Sequence, residues 1–236
     1  MISIRVLLLL VLLGCAYGHK KLKNDKKHHE HNVGIIGGHK ISIEQVPFVA
    51  SVRLNGTYHW CGGSIIHERF ILTAAHCIVP NREFKVLVGT DKVNKGGKLY
   101  DVEKIISHEL YSNITSDYDV CILKLNESLS FGPKVEKVLL TSNVVKLKKG
   151  TRFNTTGWGY THGDSGGPLT WNNVQIGITS FGSGCGIVPG VYTKISVVKP
   201  WIEETIEKHH EKGEKRGRKK IQKSQKVKKI FKRALQ

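Results

Sequence analysis

The chain is 236 residues long and 39% hydrophobic, and its 37 Lys and Arg against 19 Asp and Glu give a net charge of +18. The charge is uneven: residues 208–236 hold +11, residues 19–34 hold +3 and the long body 35–207 only +3, so the basicity belongs to appendages and no specific nucleic-acid surface is expected on the body. After residue 18 no apolar run comes near the ~20 residues that span a bilayer, which excludes a membrane-spanning helix and leaves a soluble body as the expectation.

Met1 to Gly18 reads as a secretory signal peptide: Arg5 supplies a positive start, Val6 to Leu13 is an unbroken apolar run, and Ala16 and Gly18 are the small residues favoured before a cleavage point. Residues 1–18 are therefore expected to be removed, with His19 as the mature start and a secreted, extracellular destination. Of the five cysteines, Cys15 leaves with the signal and the other four enter a compartment where disulfides persist. Asn-X-Ser/Thr triplets at Asn55, Asn113, Asn126 and Asn154 fit a secreted glycoprotein. Residues 19–34, rich in Lys, His and Asn, form a propeptide-like basic segment. Its His28, His29 and His31 fit a mobile polar stretch better than a metal site, and no metal or cofactor is expected in the chain.

From Val46 the pattern turns to short β segments: Phe48–Leu54, Ser64–Ile66, Phe70–Leu72, Phe84–Val88, Lys104–Ile106 and Val120–Leu125. Asn55-Gly56 marks a hairpin between the first two, and six such strands suit a closed antiparallel barrel, which leaves no exposed edge. Thr73-Ala74-Ala75-His76-Cys77 follows the third strand, and Asp119 directly precedes the sixth. After Arg152 to Thr156 comes Gly157-Trp158-Gly159, and only Tyr160-Thr161-His162 separates it from Gly163-Asp164-Ser165-Gly166-Gly167-Pro168. Val174–Phe181 and Gly190–Ile195 read as strands. Pro200 to Ile206 starts a helix with proline in its first turn and Ile202 and Ile206 four apart. In the basic tail, 208–236, Lys215–Lys220 is a charge cluster, and Val227, Ile230, Phe231, Ala234 and Leu235 recur at helical spacing. Such a segment suits a heparin-like polyanion, an anionic membrane surface or nucleic acid, against the alternative of a disordered soluble extension.

A serine between glycines can occupy a tight turn where backbone N–H groups converge, which suits attack on a carbonyl and capture of the oxyanion. A histidine and a buried carboxylate, in the order His, Asp, Ser, would complete the machinery. Together with Ile35-Ile36-Gly37-Gly38, these ordered motifs resemble the chymotrypsin/trypsin family of serine proteases, over residues 35 to about 207. The resemblance implies an all-β fold of two antiparallel β-barrels of the trypsin-like type with a short C-terminal helix. Family members carry several dozen residues between the Gly-Trp-Gly and Gly-Asp-Ser-Gly-Gly-Pro motifs. Here three residues stand there, so the second barrel of the 35–207 domain is expected to be incomplete, short by about two strands.

The resemblance also assigns roles. Ser165 is the nucleophile, His76 the general base and Asp119 the carboxylate that orients it, with Asp117 the alternative two residues earlier. The N–H groups of Gly163 and Ser165 form the oxyanion hole, Ser180 supports Asp119, and Gly182 and Gly190 are walls of the substrate pocket. Activation frees Ile35 to pair with Asp164. Cys61 bridges Cys77, Cys185 lacks its family partner because Thr161 stands in that place, and Cys121 is a buried small hydrophobe. Two departures are evident: Asn32-Val33-Gly34 offers no basic residue to an activating protease, and the pocket floor falls within the missing segment. The function implied is a secreted serine endopeptidase acting on protein or peptide substrates, against two alternatives: a protease-like protein that binds without cleaving, or a nonfunctional truncated product.

Overall fold

The computed structural model describes residues 38–142, 148–158, 164–182 and 189–210. The expectations for residues 1–37, Ile35 among them, for Thr161, Gly163 and Cys185, and for residues 211–236 lie outside the described residues. Eleven strands are described: β1 (Val49–Leu54), β2 (Tyr58–His67), β3 (Phe70–Thr73), β4 (Phe84–Val88), β5 (Lys98–Ser107), β6 (Cys121–Leu125), β7 (Leu139–Leu140), β8 (Asn154–Thr155), β9 (Pro168–Trp171), β10 (Val174–Phe181) and β11 (Val191–Lys194). A helix, α1, covers 195–210.

The first six strands close into the expected barrel, in the order β1-β2-β3-β6-β5-β4, with β4 pairing back onto β1. Its centre is branched and aromatic: Val52, Ile65, Phe70, Ile71, Leu72, Ile122, Leu123 and Leu125 are fully buried. Every residue of β3 and β6 is buried, Lys124 included. That lysine lays its stem in the strand and carries its ammonium to Glu103, 3.3 Å away. Between β1 and β2, Asn55 and Gly56 both have positive φ, 50° and 71°, at the centre of a turn closed by the Thr57 N–H on the Leu54 carbonyl at 3.2 Å.

The later strands form an open antiparallel sheet, β11-β10-β9-β8, with β7 running parallel beside the first two residues of β10. Among the described residues β8 and β11 each pair with one strand only, as an incomplete second barrel requires. Ser64 of β2 ties the two halves together by donating a 2.7 Å hydrogen bond to Gln175 of β10, both fully buried.

Helix α1 departs from its expected start. It begins at residue 195 rather than near Pro200, because Ile195, Val198 and Ile202 are all buried, and this helical spacing pulls the preceding turn onto the core. Pro200 then lies beyond the first turn, where its missing N–H leaves the Ser196 carbonyl without a helical donor. Strands β2 and β5 run ten residues each, well past the triplets that marked them: β2 adds the buried Cys61, Gly62 and Gly63, and β5 adds residues that mostly face water while gaining ladder hydrogen bonds.

Candidate active site

His76 sits in a 3₁₀ turn, Ala75–Cys77, just after β3. Two flanking constraints set its place. The Cys61–Cys77 disulfide, predicted from sequence, is present; it closes a loop of 16 residues, a constraint worth ~3 kcal/mol on the loop-entropy account. The Trp60 indole N–H also donates to the Cys77 carbonyl at 2.8 Å.

Asp119, 1% exposed, lies beneath His76. Its Oδ1 accepts the His76 backbone N–H at 2.9 Å, and its Oδ2 accepts the His76 ring at 2.7 Å and the Ser180 hydroxyl at 2.5 Å. A carboxylate facing Nδ1 requires the proton on that nitrogen, which leaves Nε2 as the lone-pair, basic face of the ring. Burial pushes the Asp119 carboxyl upward, but the hydrogen bonds from the His76 ring, Ser180 and the His76 backbone outweigh it and hold the group below the ordinary carboxylate range. Asp117, the alternative, is exposed and accepts the Thr115 hydroxyl at 2.8 Å.

The Ser165 turn is pinned by backbone. The Ser165 carbonyl accepts the Gly62 N–H at 2.8 Å, Gly166 N–H donates to the Thr179 carbonyl at 2.7 Å, and Gly167 N–H donates to the Asp164 carbonyl at 3.0 Å. Gly166 has φ 79°, and a Cβ there would collide with Thr73, with the Gly62 carbonyl at 2.8 Å and with Ala74 N at 2.9 Å; the motif glycine is required both for its left-handed backbone and for space. Among the described residues no hydrogen bond joins Ser165 Oγ to His76, whose Nε2 lies 3.9 Å from Cys77 Sγ. Such a bond is often loose in unliganded catalytic sites.

Asp164 turns its carboxylate onto Gly157, where a Cβ would overlap it. Gly182 and Gly190 face one another: a Cβ on Gly182 would stand 3.5 Å from the Gly190 Cα, so their Cα atoms are at most ~5 Å apart. That is the ordinary spacing of opposed residues on neighbouring strands: β10 and β11 pair as far as Phe181 and Val191, and Gly182 and Gly190 continue the same ladder. Cys121 is buried and unbridged, its thiol pushed up to about 12 by burial, and cannot act as a nucleophile near neutrality.

Two residues that shape this site were not singled out in the sequence. Gly62 lies so close to the Ser165 turn that its Cβ would stand 2.9 Å from the Gly167 Cα; the Gly62-Gly63 pair within a strand was the available signal, since strand glycines mark close backbone approach. Thr193 of β11 donates its hydroxyl to the Asp119 carbonyl at 2.9 Å across 74 residues of sequence, and no local pattern announces such a pairing.

Comparison with known proteins places this geometry in context. The sequence profile of the family described as Trypsin matches in two pieces, residues 35–162 and 160–202. Anionic trypsin of Bos taurus is 30% identical over 252 residues, covering 85% of this chain and 97% of the relative. Hypodermin-A of Hypoderma lineatum is 31% identical over 225 residues, covering 73% of this chain and 88% of the relative. Among solved structures, human heparin binding protein superposes with a TM-score of 0.66 at 23% identity, covering 71% of this chain and 95% of that one, which speaks for the fold. The buried carboxylate beneath a histidine, the pinned serine turn and these matches together place the chain in the trypsin family of serine proteases.

Proposed function

We propose that the chain is a secreted serine endopeptidase acting through Ser165, His76 and Asp119. The observation that carries this reading is the Asp119 carboxylate, buried and accepting the His76 ring at 2.7 Å and Ser180 at 2.5 Å on the same oxygen. In the proposed reaction His76 Nε2 takes the Ser165 hydroxyl proton as Oγ attacks the substrate carbonyl, Asp119 stabilises the resulting imidazolium, and the same proton passes to the leaving amine. The N–H groups of Gly163 and Ser165 receive the oxyanion, each worth ~3–4 kcal/mol in the transition state. The domain plan behind this reading is a signal peptide over 1–18, a propeptide-like segment over 19–34, the protease domain over 35–207 and a basic tail over 208–236. Ile35, freed by activation, would pair with Asp164; the sequons would carry glycans; the tail would meet a polyanion or an anionic membrane surface.

The two-piece profile match and an alignment of 252 positions against a chain of 236 residues support a segment missing between Gly159 and Gly163. One observation favours a second reading, a protease-like protein that binds partners without efficient cleavage: only Tyr160-Thr161-His162 stands where the family carries the segment with its pocket floor. A single experiment separates the two. The secreted chain, with Gly34 replaced by Arg and cleaved there, is treated with a fluorophosphonate probe and assayed on mixed peptide substrates. The endopeptidase reading expects labelling at Ser165 and hydrolysis that falls at least ~10³-fold in Ser165→Ala. Absence of labelling in a folded, correctly cleaved chain overturns it in favour of the binding protein.

A further inference from the structure

The open second sheet gives one residue an unusual position. Strand β11 pairs only with β10 among the described residues, and its residues run from exposed to half-buried. Yet from this edge Thr193 sends its hydroxyl 2.9 Å to the backbone carbonyl of Asp119. The strand's neighbour, β10, sends Ser180 to the Asp119 carboxylate at 2.5 Å. The carboxylate residue is therefore gripped at both ends by the second sheet, at its side chain from β10 and at its main chain from β11, while its remaining oxygen faces His76 at 2.9 Å.

We propose that Thr193 is a positioning residue for Asp119: it fixes the main chain from which the carboxylate projects and so sets the alignment of the hydrogen bond between His76 and Asp119. This inference rests on the proposed triad. The physical argument is leverage. A buried carboxylate holds a hydrogen bond to a ring nitrogen only within a narrow range of angle, and the bond weakens steeply as the donor departs from linearity. Asp119 stands just ahead of β6, where the main chain enters the barrel; on its other side the chain passes through Tyr118 and Ser116, both at positive φ, 51° and 59°. Ladder bonds hold Asp119 from β6 onward, so the carbonyl on which Thr193 pulls sits at the transition from loop to strand. The β-branched side chain has few χ1 choices, which makes Thr193 a stiff strut.

The test uses the full chain in two arms. In the first, Thr193→Val, which keeps the shape and deletes the hydroxyl, is compared with Thr193→Ser, which keeps the hydroxyl, by following the proton NMR resonance of the His76 Nδ1–H. The expected result is a shifted or broadened resonance in Thr193→Val and a resonance restored near the parent position in Thr193→Ser. In the second, fluorophosphonate labelling of Ser165 is expected to slow about tenfold in Thr193→Val and to recover to within about twofold in Thr193→Ser. Ile195→Val serves as the control, since it thins the buried end of the same junction, where Ile195 is fully buried, without touching the hydroxyl, and should leave the resonance in place. An unmoved resonance in folded Thr193→Val, or the same shift in Ile195→Val, overturns the proposal. If the parent chain itself fails to label, the triad reading falls while the resonance still decides the role of Thr193.

Discussion

Asp119 gathers three donors into a space that water does not enter, and a buried carboxylate deprived of one partner carries the full cost of its lost solvation. Ser180→Ala should therefore destabilise the chain at neutral pH by ~1.5–3 kcal/mol, the range for a hydrogen bond to a charged group. The pH dependence gives the diagnostic. The folded-state carboxyl is held below its ordinary value, so its contribution is present above the unfolded value of ~3.9 and is lost as pH falls below it. Ser180→Ala raises the folded value and shrinks that contribution. Chemical denaturation of parent and variant should show a gap that is widest near pH 7 and closes below about pH 4; a gap that stays constant across this range would contradict the assignment. At this scale the sequence was most legible. His76, Asp119 and Ser180 meet as the motifs implied, because each motif encodes a backbone geometry as well as a side chain. Thr193 was not legible, because one hydroxyl on one carbonyl leaves no periodic trace.

Strands and helix obey patterns longer than a residue, and here legibility follows length and burial. Strands β3, β4, β6 and β10 were read within a residue or two, since each is a run of apolar or alternating residues long enough to show its period. Strands β7 and β8 have two residues each and cannot show one. Helix α1 was found but started late, because Pro200 looked like a first turn when it is an interruption. Its last described turn suggests a second acid-sensitive joint. The ring of His210 stands 5.1 Å from the ring of His67, the last residue of β2, which also meets the edge of Phe70 at 5.4 Å. Burial lowers the His67 pKa, and His210, Lys137 and Arg69 lower it further against the pull of Glu68. A depressed histidine contributes stability that is full above the unfolded value of ~6.5 and is lost as pH falls through the folded value. Amide exchange in residues 205–210 should accelerate between pH 7.5 and 5.5 beyond the change of intrinsic rate, and His67→Phe, which keeps a ring but cannot charge, should abolish that extra acceleration. The same pH response in His67→Phe would show that the pair does not control this turn.

At the scale of the whole molecule, a complete barrel is joined to an incomplete one, and the two halves should differ in stability as they differ in closure. The first barrel has no free edge, and β3 and β6 are buried at every position. The second sheet ends on β8, whose two residues are exposed, and on β11, with none fully buried. A strand paired on one side and wet on the other opens by breaking only its own bonds, whereas a strand inside a closed barrel opens only with the barrel. Three residues standing where the family carries dozens implied an incomplete second barrel, but how the strands of the second sheet would settle could not be read, because that depends on the long-range ties at Ser64–Gln175 and Thr193–Asp119. Hydrogen exchange of the whole chain at neutral pH should therefore find residues 70–73 and 121–125 the slowest and residues 191–194 at least ~100-fold faster, a difference of ~2.8 kcal/mol in opening free energy. Thr193→Val should widen that gap by loosening the edge strand's tie to the barrel. Equal protection of β11 and β6 would mean that the second sheet is closed by something other than the strands described.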